Sequence, residues 1–249
     1  MKTYLDCIPC FFKQALAAAR EAGADEAGQK KILDEISKSV PKISLSLSPA
    51  YMSRIVYGTI RKITGVIDPF KEEKVKSNKL ALKLYPQLKE RIKRAKEPLK
   101  EAIKLAILGN TIDFGTGLSF DLEKELNSEG NFPIFDYEEF KKILKKNGGL
   151  PSGGRDGEIL YVGDNCGETV FDRLLIEEMG KEVIYAVRSA PIINDATIED
   201  AKFCGINKIA KVISSGSPIS GTPTELCSQE FLSFFNQSSF IISKGQGNF

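Results

Sequence analysis

A chain of 249 residues, 42% apolar and 27% charged, is long enough to bury a substantial core and has the balance of a soluble globular protein. A net charge of +2 gives no argument for nucleic acid or an acidic membrane, and no apolar run approaches the roughly 20 residues that span a bilayer. Histidine is absent, which excludes Ser-His-Asp and Cys-His nucleophiles, H-E-x-x-H zinc proteases and an imidazole general base. Any chemistry must therefore run on carboxylates, lysine, cysteine or a hard metal ion.

The N-terminus, MKTYLDCIPCFFKQ, has no signal-peptide apolar core, and the five cysteines, an odd number with two of them as C-x-x-C, do not read as a secreted disulfide framework. A cytoplasmic protein with reduced thiols is the expectation. Helical periodicity then runs through CFFKQALAAAREAG (10–23), DEAGQKKILDEISKSV (25–40) and SPAYMSRIVYGTIRKITG (48–65), the last with Ser48 or Ser53 near its start. Residues 85–108 predict one long helix or two, because Pro98 either kinks it or occupies a new first turn. DYEEFKKILKKNGG closes the helical part, with Asp136 as N-cap and Gly148 at its stop.

After the turn-rich GGLPSGGRDGE the pattern changes. EILYVGD, EVIYAVRS, KIAKVISSG and SFIISKGQG are short β-branched or apolar runs, separated by helical stretches starting near Glu168, Ala196 and Pro223. Strand and helix in alternation predict an α/β fold with a parallel sheet. The organisation is a helical N-terminal part (1–150) and an α/β domain (151–249), with 108–115 contributing to the site.

Ligands of open parallel sheets bind beyond the carboxyl ends of the strands. There the first run delivers Asp164, Asn165, Cys166 and Glu168, and the second Arg188 and Ser189, followed by Asn194 and Asp195. The third delivers Ser214, Ser215, Gly216 and Ser217, and the fourth Lys244, Gly245, Gln246 and Asn248. Hard oxygen donors suit Mg²⁺ or Mn²⁺ better than zinc, while Gly/Ser-rich turns and a lysine suit a phosphate. Each cluster has a plainer reading. Asp164-Asn165 fits a turn and a helix cap, Asp195 a cap before Ala-Thr, SSGS an ordinary loop, and Asn110 and Asp113 a C-cap and a turn. Their convergence on one sheet edge favours a site. Cys7 and Cys10 read as two thiols on a first helical turn, with redox or metal binding as the alternative. Cys166 has no base to make it a nucleophile.

Six stretches in chain order, DCIPCFFKQ, DPFKEEKVKSN, LGNTIDFG, VGDNCGETVFD, PIINDAT and SKGQGNF, resemble the DUF89 family, the damage-control phosphatases of the ARMT1-like superfamily. The C-x-x-C start resembles its prokaryotic branch. The resemblance implies a Rossmann-like, mostly parallel sheet flanked by helices, an all-helical N-terminal part, and metal-dependent hydrolysis of phosphate monoesters. The substrates it implies are small phosphorylated metabolites, either sugar phosphates or phosphopantetheine-like compounds. It assigns Asp164, Asn165 and Asp195 to the divalent metal, Asn110 and Asp113 to the substrate and Lys244 to the phosphate. Similar proteins continue beyond KGQGNF, where this chain stops, and a site open on one side is the expectation.

Mn²⁺, Mg²⁺, Ni²⁺ and Co²⁺ all suit Asp and Asn ligands. In the expected mechanism Lys244 and backbone N–H groups at Ser215 and Gly216 offset charge on the phosphoryl oxygens, and Gln246 lies on the same phosphate-binding edge. Asp113 or Asp195 accepts the proton of the attacking water, and direct attack by an aspartate is the variant. Glu168 is a first-turn helix residue or a partner of the ligands. No nucleic acid or membrane partner is expected, and the oligomeric state is open. Two rivals stand beside this reading. One is a non-catalytic sensor of metal or phosphometabolite. The other is a methyl- or nucleotidyl-transferase, against which GDNCGE stands where a G-x-G-x-x-G would be needed.

Overall fold

The computed structural model describes residues 2–110, 132–146 and 158–248. Helices α1 (Cys7–Glu21), α2 (Glu26–Ser37) and α3 (Ala50–Thr64) pack as an N-terminal bundle. Small residues on α1 (Ala15, Ala18, Ala19) let it approach Ile32 and Ile36 of α2 and Val56 and Ile60 of α3, all fully buried. Asp25 caps α2 by accepting from Gly28 N at 2.8 Å. Helix α3 starts just after Ser48, whose Oγ accepts from Ala50 N at 3.4 Å, while Ser53 lies inside the helix. Cys7 and Cys10 sit on the first turn of α1 as free thiols, half-buried and exposed respectively.

The next helix departs from expectation. Helix α4 spans Lys71–Arg94 and passes through Pro86, and α5 (Pro98–Gly109) begins with Pro98 in its first turn. The start at Lys71 instead of Tyr85 has a physical reason. The buried stripe of the first half of α4 is Lys74, Ser77, Asn78 and Ala81, helical in spacing but mostly polar. Leu88 and Ile92 anchor the second half in the core, which offsets the hydrogen bond that Pro86 cannot donate. Helix α6 (Tyr137–Lys146) follows Asp136. Gly148 lies outside the described residues.

Four parallel strands, β1 (Ile159–Val162), β2 (Val183–Val187), β3 (Lys211–Ser214) and β4 (Phe240–Ser243), are ordered β3-β2-β1-β4. The central pair β1 and β2 is buried along its whole length, as continuous apolar runs in a parallel sheet require. Ile159, Tyr161, Val183 and Tyr185 face a core shared with α4, α5 and α7 (Glu168–Met179). Leu160, Val162, Ile184 and Ala186 face Phe231 and Phe234 of α9 (Gln229–Gln237). Helix α8 (Ile198–Phe203) has only 6 residues. Helix α9 is capped by Ser228 and preceded by a 3-10 turn at Thr224–Leu226, so the helix expected near Pro223 starts later. Among the described residues no helix is long and apolar enough to cross a membrane.

Because β4 lies on the opposite side of β1 from β2, the chain reverses its direction of travel across the sheet between β1 and β4. That switch opens a crevice at the carboxyl ends of these two strands.

An ion-pair cluster ties α4 to α8. Lys74 Nζ lies 3.0 Å from Asp68 and 2.9 Å from Asp200, with 3% of its side chain exposed. Burial pushes the Asp200 carboxyl up, but Lys74 and the Thr197 donors outweigh it and hold it below its ordinary 3.8. The resulting stabilisation is full above that value and is lost as pH falls through the lower folded value. Wild type is expected to exceed Asp200→Asn by roughly 1–3 kcal/mol at neutral pH, with the gap closing below about pH 4. Melting curves of both proteins from pH 7 to 3 check this, and a gap independent of pH would refute the ion-pair contribution.

Candidate active site

Beyond β1 the chain runs Gly163-Asp164-Asn165-Cys166-Gly167 into α7, turning at Gly167 with φ +84°, a region that favours glycine. The segment after β2 is hydrogen-bonded alongside. Cys166 N donates to Asn194 O and Ala196 N to Asp164 O, both at 2.8 Å, and residues 165 and 195 form an antiparallel bridge. Backbone pairing thus brings Asp164, Asn165 and Asp195 together from two strand ends. The capping alternatives do not hold. Thr197 with Asp200 caps α8, and neither Asp164 nor Asn165 caps α7.

Arg188, at the end of β2 and 1% exposed, joins the two acids. Its Nε donates to Asp195 Oδ2 at 2.7 Å, Nη2 to Asp164 Oδ1 at 3.2 Å and Nη1 to Asn248 Oδ1 at 2.9 Å. Ser220 Oγ also donates to Asp195 Oδ2, at 3.3 Å. Asn165 Nδ2 donates to Asp164 Oδ2 at 3.0 Å and to Glu168 Oε1 at 2.8 Å, which fixes the amide orientation and leaves its carbonyl oxygen as the available acceptor. From β4, Gly245 closes over Asp164 with φ +77°. A Cβ there would stand 1.9 Å from Asp164 Oδ2, so only glycine lets the carboxylate lie against this turn.

A second layer lies beneath. Lys244 Nζ donates to Ala106 O at 2.8 Å, Asp172 Oδ1 at 2.9 Å and Glu168 Oε2 at 3.2 Å. Asp172 also accepts from Tyr161 Oη at 2.6 Å and Tyr185 Oη at 2.8 Å. Burial and the facing Asp172 carboxylate raise both phenols well above their usual range, so they remain donors.

Four buried carboxylates (Asp164, Glu168, Asp172, Asp195) thus face two cationic side chains (Arg188, Lys244). Burial, then the charges of Asp195 and Glu168, push the Asp164 carboxyl up to about 7 against the pull of Arg188 and Lys244. Burial raises Asp195 and Glu168 as well, opposed by Arg188 and Lys244 respectively. This surplus of negative charge is what a divalent cation relieves. Among the described residues no trio of His, Cys, Asp or Glu is placed to hold a metal. An ion here would take the Asn165 amide oxygen beside Asp164 and Asp195, a hard-oxygen set that fits Mg²⁺ or Mn²⁺. Burial pushes the Cys166 thiol far up, so it is no nucleophile.

Other expected residues fall differently. Ser215 N donates to Val187 O at 2.7 Å and Gly216 N to Ser214 Oγ at 3.1 Å. Those N–H groups do not face an anion, because a buried donor must be paired and the loop uses both to fold itself. Lys244 points into the acid layer with its three donors engaged, so it neutralises carboxylates where a contact with phosphate was expected. Gln246 is exposed on a 3-10 turn, Asn110 is exposed at the end of α5, and Asp113 lies outside the described residues. Arg188, Asp172, Ser220 and Asn248 carried no assigned role in the sequence. The available signals were an arginine ending an apolar strand and an acid at i+4 from Glu168 on an apolar helix.

A cavity of about 960 Å³ opens between the N-terminal bundle and this edge, reaching Ser220, Gln246 and Asn248 on one side and Cys10, Lys13 and Tyr51 on the other. Across it, Tyr51 Oη donates to the Glu225 carboxylate.

A family model for the damage-control phosphatase ARMT1-like domain matches residues 3–249. A damage-control phosphatase of Pyrococcus horikoshii is 37% identical, over 100% of this chain and 85% of its own length. An uncharacterized protein of Methanocaldococcus jannaschii is 36% identical over 98% and 81% respectively. The crystal structure of a DUF89 family protein from Pyrococcus horikoshii superposes with a TM-score of 0.87 at 36% identity, covering 100% of this chain and 86% of that one. A match over nearly every residue, with the fold to go with it, places this chain in the DUF89 family of damage-control phosphatases.

Proposed function

We propose that the chain is a divalent-metal-dependent phosphatase that hydrolyses phosphate monoesters of small metabolites, of the sugar phosphate or phosphopantetheine type. The observation that carries this reading is the surplus of buried negative charge around Asp164, Asn165 and Asp195, two aspartates sharing one arginine, at the switch point of the sheet and beside a cavity. A cavity of about 960 Å³ suits a small metabolite. Asp164, Asn165 and Asp195 would hold the ion, which when bound supplies Lewis-acid polarisation of a phosphoryl oxygen. Arg188 holds the two aspartates in fixed orientation, and Asn165 is pinned by Asp164 and Glu168. Asp195, raised by burial, is the described carboxylate suited to accept a proton from water. The Lys244 layer keeps Glu168 and Asp172 from adding their full charge to the site.

The test is hydrolysis of p-nitrophenyl phosphate by EDTA-stripped protein, with Mg²⁺, Mn²⁺, Co²⁺ and Ni²⁺ added back singly. No turnover by the stripped protein and recovery with at least one metal is the expected result. Turnover that ignores the metal would refute the mechanism. Bound metal without turnover across a panel of phosphate esters would make the protein a sensor.

A further inference from the structure

The stretch DPFKEEKVKSN has no part in the chemistry above, yet it places a polar stripe of α4 in the interior. Lys74 and Asn78, one turn apart on α4, are 3% and 1% exposed. Asn78 reaches both loops that carry the proposed metal ligands. Its Oδ1 accepts from Gly167 N at 2.7 Å, at the positive-φ turn directly after Asp164-Asn165-Cys166. Its Nδ2 donates to Asp200 Oδ1 at 3.4 Å. Asp200 in turn accepts from Thr197 N at 2.9 Å and Thr197 Oγ1 at 2.6 Å, two residues after Asp195. Lys74 holds the same Asp200 at 2.9 Å.

We propose that Asn78 is a positioning residue for the metal site, setting the Asp164–Asn165 turn against the Asp195 segment through Gly167 and Asp200. The inference rests on the metal-binding reading above. Backbone bonds from Cys166 N to Asn194 O and from Ala196 N to Asp164 O join the two segments, and Asn78 braces them from the helical side at Gly167 and Asp200. Gly167 is the most permissive residue of its turn, and Asn78 supplies the one side-chain acceptor for its N–H. Without that acceptor the buried N–H is orphaned, and the turn relaxes toward water or another carbonyl, carrying Asn165 with it. Such outer partners of metal ligands typically change affinity by about 10–100-fold when removed. The connection also makes α4, from the helical half, part of the site without touching substrate.

The experiment measures Mn²⁺ dissociation constants by the EPR signal of the free aqua ion, at a temperature where circular dichroism shows each protein folded. Asn78→Ala and Asn78→Ser are expected to weaken Mn²⁺ about 10–100-fold. A purely structural role would lower the melting temperature and leave the affinity of the folded protein unchanged. Wild-type affinity in folded Asn78→Ala or Asn78→Ser overturns the proposal. The serine variant decides if the alanine protein does not fold. A wild type that binds no Mn²⁺ overturns the metal reading itself and this proposal with it, an outcome separate from a failure among the variants.

Discussion

Replacing Asp164 with asparagine is expected to abolish most phosphate-ester hydrolysis while leaving the metal-free protein at least as stable as wild type. The activity loss is expected at about 10²–10³-fold, because the variant gives up one of the two charged ligands of the ion that would polarise the phosphoryl oxygen. The stability sign follows from a comparison of two terms. The substitution swaps an acceptor for a donor opposite Asn165 Nδ2, losing a hydrogen bond of 3.0 Å worth roughly 1 kcal/mol. Against that, it removes one of four carboxylates facing two cations, and burial pushes the Asp164 carboxyl up to about 7, the direction of a charge that costs stability when kept ionised. Removing a buried charge that the surroundings leave in surplus is expected to outweigh one lost hydrogen bond. Melting curves with and without Mn²⁺ check both halves. Wild type is expected to gain stability from the ion by linkage, and the variant to gain little. A variant that melts well below metal-free wild type, or that retains its rate, would show that Asp164 is a structural acid.

Much of this arrangement was legible before any fold was described, and the exceptions share a cause. EILYVGD and EVIYAVRS read as strands because a parallel strand buried on both faces is apolar along its length, which makes a short run bounded by turn residues conspicuous. Asp164, Asn165 and Asp195 could be expected at one edge because they follow the carboxyl ends of neighbouring strands, and the backbone pairing does bring them together. The first half of α4 was not visible. Its buried face is Lys74, Ser77 and Asn78, and a periodicity written in polar residues looks like solvent. Arg188 stood in plain view at a strand end, but its partners lie 7, 24 and 60 residues away, and one charge does not announce which groups it will join. Ser215 and Gly216 were misread because a Gly/Ser turn offers N–H groups in sequence, and only the tertiary structure decides whether they meet a ligand or their own loop.

Lys244 carries the second large expectation, because the resemblance and the geometry give it different work. If Lys244 chiefly neutralises the acid layer, Lys244→Met loses stability first. Its ammonium is shared between Glu168 and Asp172, which are 2% and 0% exposed, and Met keeps most of its unbranched stem without its charge. Breaking a buried pair from one side costs about 3–5 kcal/mol, because the stranded carboxylates cannot return to water. For a chain of this size that is a fall in melting temperature of roughly 6–20 °C. Two acids are stranded here instead of one, but Tyr161 and Tyr185 still donate to Asp172, which places the expectation inside that range. The double variant Lys244→Met/Asp172→Asn is expected to recover part of the loss, since the residues are in contact and their effects do not add. A lysine acting mainly on phosphate predicts another pattern. Lys244→Met would then fold with wild-type stability, lose turnover at saturating metal, and gain nothing from Asp172→Asn. Measuring melting temperature and turnover on the same three proteins separates the two roles, because only the neutralising role links the fate of Lys244 to that of Asp172.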